Sequence, residues 1–166
     1  MKKILSVIAG LLIFALIGAG LIGRNIMFKL NYKKEIQKYA KEYKVDSKLL
    51  AAVINFEDGF NAETQYKKGE PVGPFQFRDT KVEKYAKEMG LKDFKKEDIA
   101  KVDVNIKMGA WYIKENFKNN DYNELAVAWM ERNNNQEKRM QDYYRQYYGE
   151  RIEKRVKLYK IFHPEL

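Results

Sequence analysis

The chain has 166 residues, with 32 Lys or Arg against 23 Asp or Glu, one histidine and no cysteine. That length fits one ordinary domain plus a short appendage. Without cysteine there is no disulfide framework, thiol nucleophile or Cys zinc site, and the lone His163 would put the base of any Ser-His-Asp system on a C-terminal tail expected to be poorly ordered. Carboxylate, tyrosine or lysine chemistry remains, or binding without chemistry; neither a metal nor a cofactor is indicated.

The formal charge of +9 divides unevenly. Residues 1–30 contain Lys2, Lys3, Arg24 and Lys29 and no acid, so the remainder carries 28 bases and 23 acids, a net of +5 with the signs interleaved. A focused basic stripe is missing, so nucleic acid is not the expected partner. Such a surface suits anionic headgroups or an anionic cell wall.

Ile4 to Gly23 holds twenty residues without a charge, enough for a helix to span roughly 30 Å of hydrocarbon. A membrane anchor over 1–30 and a cleaved signal peptide are both compatible with it. Small residues at Gly18, Ala19 and Gly20 could serve a peptidase, although a signal peptide's apolar stretch is usually shorter, about 7–15 residues. Lys2 and Lys3 flank one side, Arg24, Lys29, Lys33 and Lys34 the other, which leaves orientation open because long domains translocate largely regardless of charge.

Residues 31–166 read as one mostly helical domain. Ile36, Tyr39, Ala40 and Tyr43 give helical spacing over Tyr32–Lys44; Asp46 or Ser47 caps a second helix that runs to about Asp58 and stops at Gly59. Phe60–Phe77 is irregular, punctuated by Gly69, Pro71 and Gly73, and is a long loop of the kind that carries function. Helical patterns resume over Thr80–Met89, Val104–Phe117, Tyr122–Arg132 and Gln136–Phe162, with a break expected at Gly149. No alternating strand pattern of useful length is present.

Glu57 lies seven, four and three positions beyond Leu50, Val53 and Ile54, on the apolar face of the second helix and in its last turn. Burial and the helix dipole both disfavour a charged carboxylate there, the condition a general acid requires. The plainer alternative is the polar end of an amphipathic helix, its head reaching water past Gly59. Asp58 points about 100° away, so the two do not flank a bond as paired glycosidase carboxylates do.

Val45-Asp46-Ser47-Lys48-Leu49-Leu50-Ala51-Ala52-Val53-Ile54-Asn55-Phe56-Glu57-Asp58-Gly59-Phe60-Asn61 resembles the catalytic helix of the soluble lytic transglycosylase (SLT) domain, a lysozyme-like family with the pattern Val-Asp-Pro, an apolar run, then Glu-Ser-x-Phe-Asn. Gly73-Pro74-Phe75-Gln76-Phe77 is similar to its Gly-Leu-Met-Gln segment. Asn105-Ile106-Lys107-Met108-Gly109-Ala110-Trp111-Tyr112-Ile113 resembles its Asn-Ile-x-x-Gly-x-x-Tyr-Leu helix. The likeness covers about Tyr32–Trp129 and, more faintly, the last helix. The chain departs from the pattern in three places. Asp58 replaces the serine, Arg78-Asp79 replaces Met-Pro, and Ala128-Trp129-Met130-Glu131-Arg132 replaces Ala-Tyr-Asn-Ala-Gly.

The resemblance implies an all-α, lysozyme-like domain behind one transmembrane helix, held outside the cytoplasm and acting on peptidoglycan glycan strands as a lytic transglycosylase. It implies Glu57 as the acid/base, with Gln76 and the backbone near Phe75 holding acetamido groups or orienting Glu57. Trp129 is expected to stack on a sugar face, and Met130 to line the cleft where the family has an amide. Glu131 is either a second cleft carboxylate or a solvated one. Tyr143, Tyr144, Tyr147 and Tyr148 are either helix packing or a glycan platform, and Phe75 and Phe77 are expected to be half core and half cleft wall. The alternatives are an envelope glycan-binding or scaffold protein that has lost turnover, and a cytoplasmic membrane-tethered module that binds an anionic partner.

Overall fold

In this computed structural model, which describes residues 2–133 and 140–166, the first helix α1 (Lys2–Ile22) continues through a π-helical turn, Gly23–Met27. Val7–Met27 is apolar and long enough to cross a membrane, and little of it is buried. Contacts between its exit and the chain's last turn are specific. Arg24 donates to the Phe162 carbonyl at 2.7 Å and pairs with Glu165 at 2.7 Å. Phe28 stacks on Phe162 with ring centroids 5.3 Å apart, and a ring nitrogen of His163 meets the Phe28 carbonyl at 2.6 Å. The expectation of a loose tail is corrected here: His163 is buried because these contacts use both its nitrogens and the neighbouring rings.

The remaining elements are α2 (Lys33–Tyr43), α3 (Ser47–Glu57), α4 (Val82–Glu88), a 3-10 turn (Lys96–Ala100), α5 (Val102–Asn116) and α6 (Tyr122–Glu131). A last helical run is formed by α7 (Gln141–Tyr143), a π turn (Tyr144–Gly149) and α8 (Glu150–Phe162). Among the described residues there is no strand, only an isolated bridge between Val72 and Phe77 inside the long loop. The first residues of the expected Gln136–Phe162 helix lie outside the described residues.

Local chemistry sets the helix starts. Asp46 caps α3 by accepting from Lys48 N–H at 2.8 Å, and Asp121 caps α6 by accepting from Asn123 and Glu124 N–H. Leu49 to Ile54 are buried all round, so α3 is the central helix, packed mainly on α8 and α2. Each of its large aliphatic side chains stabilises the fold by roughly 1.5–3 kcal/mol gross. Gly149 does not break the last run as expected. A Cβ there would come within 2.4 Å of Asn123 Oδ1 and 3.0 Å of the Tyr122 carbonyl oxygen, so glycine lets a widened turn cross the start of α6 without interrupting the helix.

The long loop is tied to α5 through Asn105. Its buried amide donates to the carbonyls of Val72 and Ile99 and accepts from Phe75 N–H at 2.8 Å. Gly109, one turn along α5, lies directly under the Phe75 ring, where a Cβ would approach to 2.3 Å. The Asn and Gly of the Asn-Ile-x-x-Gly stretch therefore fix where residues 73–77 run, and this segment borders the C-terminus of α3.

Candidate active site

Glu57 ends α3 and borders a cleft of about 530 Å³, whose other lining residues are Gly69, Pro71, Gln76, Arg78, Thr80, Met130, Arg132 and Asn133. Its side chain is 13% exposed. Oε1 accepts from the Trp129 indole N–H at 2.8 Å and Oε2 from Arg132 Nη2 at 2.6 Å. Both oxygens thus accept from buried donors, one of them a guanidinium.

Arg132 is 4% exposed and is held by more than this ion pair. Nη1 donates to the Trp129 carbonyl at 2.7 Å, and Nη2 also approaches the carbonyl oxygens of Phe75 and Gln76 at 3.2 and 3.4 Å. Its guanidinium carbon lies 4.3 Å from the Trp129 ring centroid, a cation–π contact. Asn133 donates to the Gln76 carbonyl at 2.9 Å and accepts from Arg78 N–H, so the end of α6 is stitched to the 73–78 segment. A buried cation is tolerable because each of these partners offsets part of its desolvation.

Two sequence expectations are corrected by burial. Trp129 is 0% exposed and packs edge-on against Phe75, Phe77 and Tyr112 at centroid distances of 5.4, 6.0 and 5.6 Å. No face of it is open to a sugar, and it reaches the site only through its N–H. Phe75 and Phe77 are likewise fully buried, so neither forms cleft wall; the aromatic cluster needs them to close the core beneath the site.

Gln76 and Met130 do line the cleft. Gln76 takes a left-handed φ of 49°, and its amide folds back to donate to the Gly73 carbonyl at 2.9 Å. Among the described residues it is the Gln76 carbonyl, through Arg132, that connects this residue to Glu57. Glu131 faces away from the cleft. It accepts from Gln141 at 2.9 Å and borders a separate groove with Trp111 and Lys81. Tyr144 is buried and Tyr148 packs on Phe56, whereas Tyr143 and Tyr147 are exposed and stack on each other at 5.0 Å.

Asp58 is half-buried outside the cleft lining. One oxygen accepts from Phe60 N–H at 2.8 Å and the other has no partner among the described residues. Desolvation pushes its pKa up to about 6, with the Glu57 charge adding to the rise, while backbone N–H groups and Lys29 oppose it. Arg132, Asn133 and Arg78 are the site residues that residue-by-residue reading did not assign. Nothing local in the sequence marks an arginine that will be buried, because beyond the Trp129 carbonyl its partners, Glu57 and the Phe75 and Gln76 carbonyls, lie more than fifty positions away.

A helical domain in which a central helix delivers one glutamate to an open cleft, closed beneath by the Gly73–Phe77 and Asn105–Ile113 segments, is lysozyme-like. The family described as Transglycosylase SLT domain matches residues 34–154, most of the chain, which therefore belongs to this family. Membership implies lytic transglycosylase-type activity in general, and proteins of this family act on peptidoglycan outside the cytoplasm. No curated protein and no solved structure matches the chain.

Proposed function

We propose that this protein is a membrane-anchored lytic transglycosylase, with 1–30 as its anchor and 31–166 as its catalytic domain outside the cytoplasm. Glu57 donates a proton to the oxygen joining N-acetylmuramic acid to N-acetylglucosamine, and the muramoyl C1–O bond breaks. The muramoyl 6-hydroxyl then bonds to C1, its proton returns to Glu57, and a 1,6-anhydro end results without uptake of water. One acid/base suffices for this sequence of transfers. The observation that carries the reading is the seating of Glu57 in the cleft at the end of α3, both oxygens fixed by Trp129 and Arg132.

In this reading the two donors are positioning residues. Trp129 stands where the family pattern has tyrosine and Arg132 where it has glycine, and together they hold the carboxyl group in one orientation when substrate arrives. The same contacts favour a second reading, a glycan-binding protein with weak or no turnover. Both oxygens of Glu57 are already engaged by protein donors, the guanidinium 2.6 Å from Oε2 among them, rather than left open to the substrate. Mass spectrometry of products from purified sacculi incubated with the full chain in detergent micelles separates the two. Fragments one water lighter than hydrolysis products support the first reading, reducing ends would replace it with hydrolysis, and retention on sacculi without release supports the second.

A further inference from the structure

Among the described residues three charged side chains line the cleft: Glu57, Arg132 and Arg78. The first two are paired with each other. Arg78 forms no ion pair among the described residues, and it stands where the family resemblance places an apolar residue. It is also held in place. Nη1 donates to the Gly69 carbonyl at 2.6 Å, and its backbone N–H donates to Asn133 Oδ1 at 3.0 Å.

The next departure, Asp79, completes that hold. Its carboxylate accepts from Tyr66 O–H at 2.7 Å and from Gly69 N–H at 3.2 Å, so Gly69 is fixed from one side by Asp79 and fixes Arg78 from the other. The Tyr66 hydroxyl and this backbone N–H also hold the Asp79 carboxyl below its usual range. The acid beside Arg78 is therefore committed to the loop and forms no ion pair with Arg78. What remains is a guanidinium pinned at one nitrogen, with its other donors unpaired among the described residues and bordering the cleft, a geometry suited to a planar carboxylate.

We infer that Arg78 is a specificity-determining residue that recognises a carboxylate carried on the muramoyl 3-substituent of the glycan, an inference that rests on the cleft proposed above as the glycan site. That carboxylate has two possible sources, the lactyl group itself when the stem peptide is absent and an acidic residue of the stem peptide when it is present. Arg78 selects strands by charge at this position, whereas Glu57 acts on the glycosidic bond that all strands share.

The test is a binding measurement with the full chain in detergent micelles and soluble glycan strands, native or with their carboxylates converted to methylamides, each with stem peptides or after peptide removal by an amidase. The wild type should bind native strands about tenfold tighter than methylamidated ones, the scale of a charge-assisted contact at a partly solvated site. Arg78→Met should bring the ratio close to one, and Arg78→Lys should restore only part of it, since an ammonium lacks the fork. A preference that survives peptide removal identifies the lactyl carboxylate, and one seen only with peptides identifies the stem. A wild-type ratio near one overturns the inference, as does an Arg78→Met protein that keeps the tenfold ratio or loses affinity for both forms alike. Product release is measured in parallel. A retained charge preference without products refutes the catalytic reading and leaves this inference standing.

Discussion

Replacing Arg132 with methionine removes a buried charge while keeping most of the side-chain volume. Five contacts go with it: the ion pair to Glu57, the hydrogen bonds to the carbonyls of Trp129, Phe75 and Gln76, and the cation–π contact with the Trp129 ring. Breaking one side of a buried ion pair costs about 3–5 kcal/mol, because the partner charge is left uncompensated. Glu57 keeps its indole donor and some access to the cleft, which places the expected loss toward the lower end. At about 4 °C per kcal/mol for a domain of this size, melting should fall by roughly 12 °C or more. A double-mutant cycle with Glu57→Gln isolates the pair, and the coupling energy should be about 2–3 kcal/mol. Thermal melts of the four proteins, followed by circular dichroism in one detergent, supply the numbers. A loss below about 1 kcal/mol, or a coupling near zero, would refute the claim that a buried ion pair organises this site.

Glu57→Gln should abolish product release, because an amide can neither give nor take the transferred proton; it should also lower stability by roughly 1–3 kcal/mol, since one amide oxygen cannot satisfy both Trp129 and Arg132. Trp129→Ala should cost about 3–5 kcal/mol as a core truncation, and a Trp129→Phe protein, which keeps most of the packing, should lose rate by a larger factor than it loses glycan affinity if the indole N–H orients Glu57. Asp58→Asn should raise the melting temperature at pH 8 and change it little at pH 4. The folded pKa of about 6 lies above the unfolded value near 3.8, so ionised Asp58 opposes folding, and the handicap grows as pH rises from about 4 to 6; an equal effect at both pH values would argue against it. Gly109→Ala should destabilise the domain by about 1–3 kcal/mol by forcing the Phe75 ring off α5, as a melt would show.

Much of the architecture was legible before any coordinates, because it depends on patterns local to a few turns. The apolar spacing of α2 and α3, the Asp46 cap and the uncharged run of α1 each act within a few residues. The same holds for the position of Glu57, whose place on the core-facing side of the last turn follows from 100° per residue. Motif spacing also pointed to the right family, since Asn105 and Gly109 are required by contacts that any chain with this loop-on-helix packing must make.

Only the tertiary structure decided what surrounds Glu57. Trp129 was expected at the sugar because tryptophan is amphipathic, and its residue type does not say which end will be buried. Packing against Phe75, Phe77, Tyr112 and the Arg132 guanidinium settled this by burying the whole ring and leaving one N–H directed at the carboxylate. Arg132 shows the same limit more sharply. Arginine is ordinarily a surface residue, and its burial here depends on the Phe75 and Gln76 carbonyls and on a glutamate 75 positions earlier. Helix periodicity is a short-range property of the chain, whereas the partners of a buried charge are supplied by whichever segments the fold brings together.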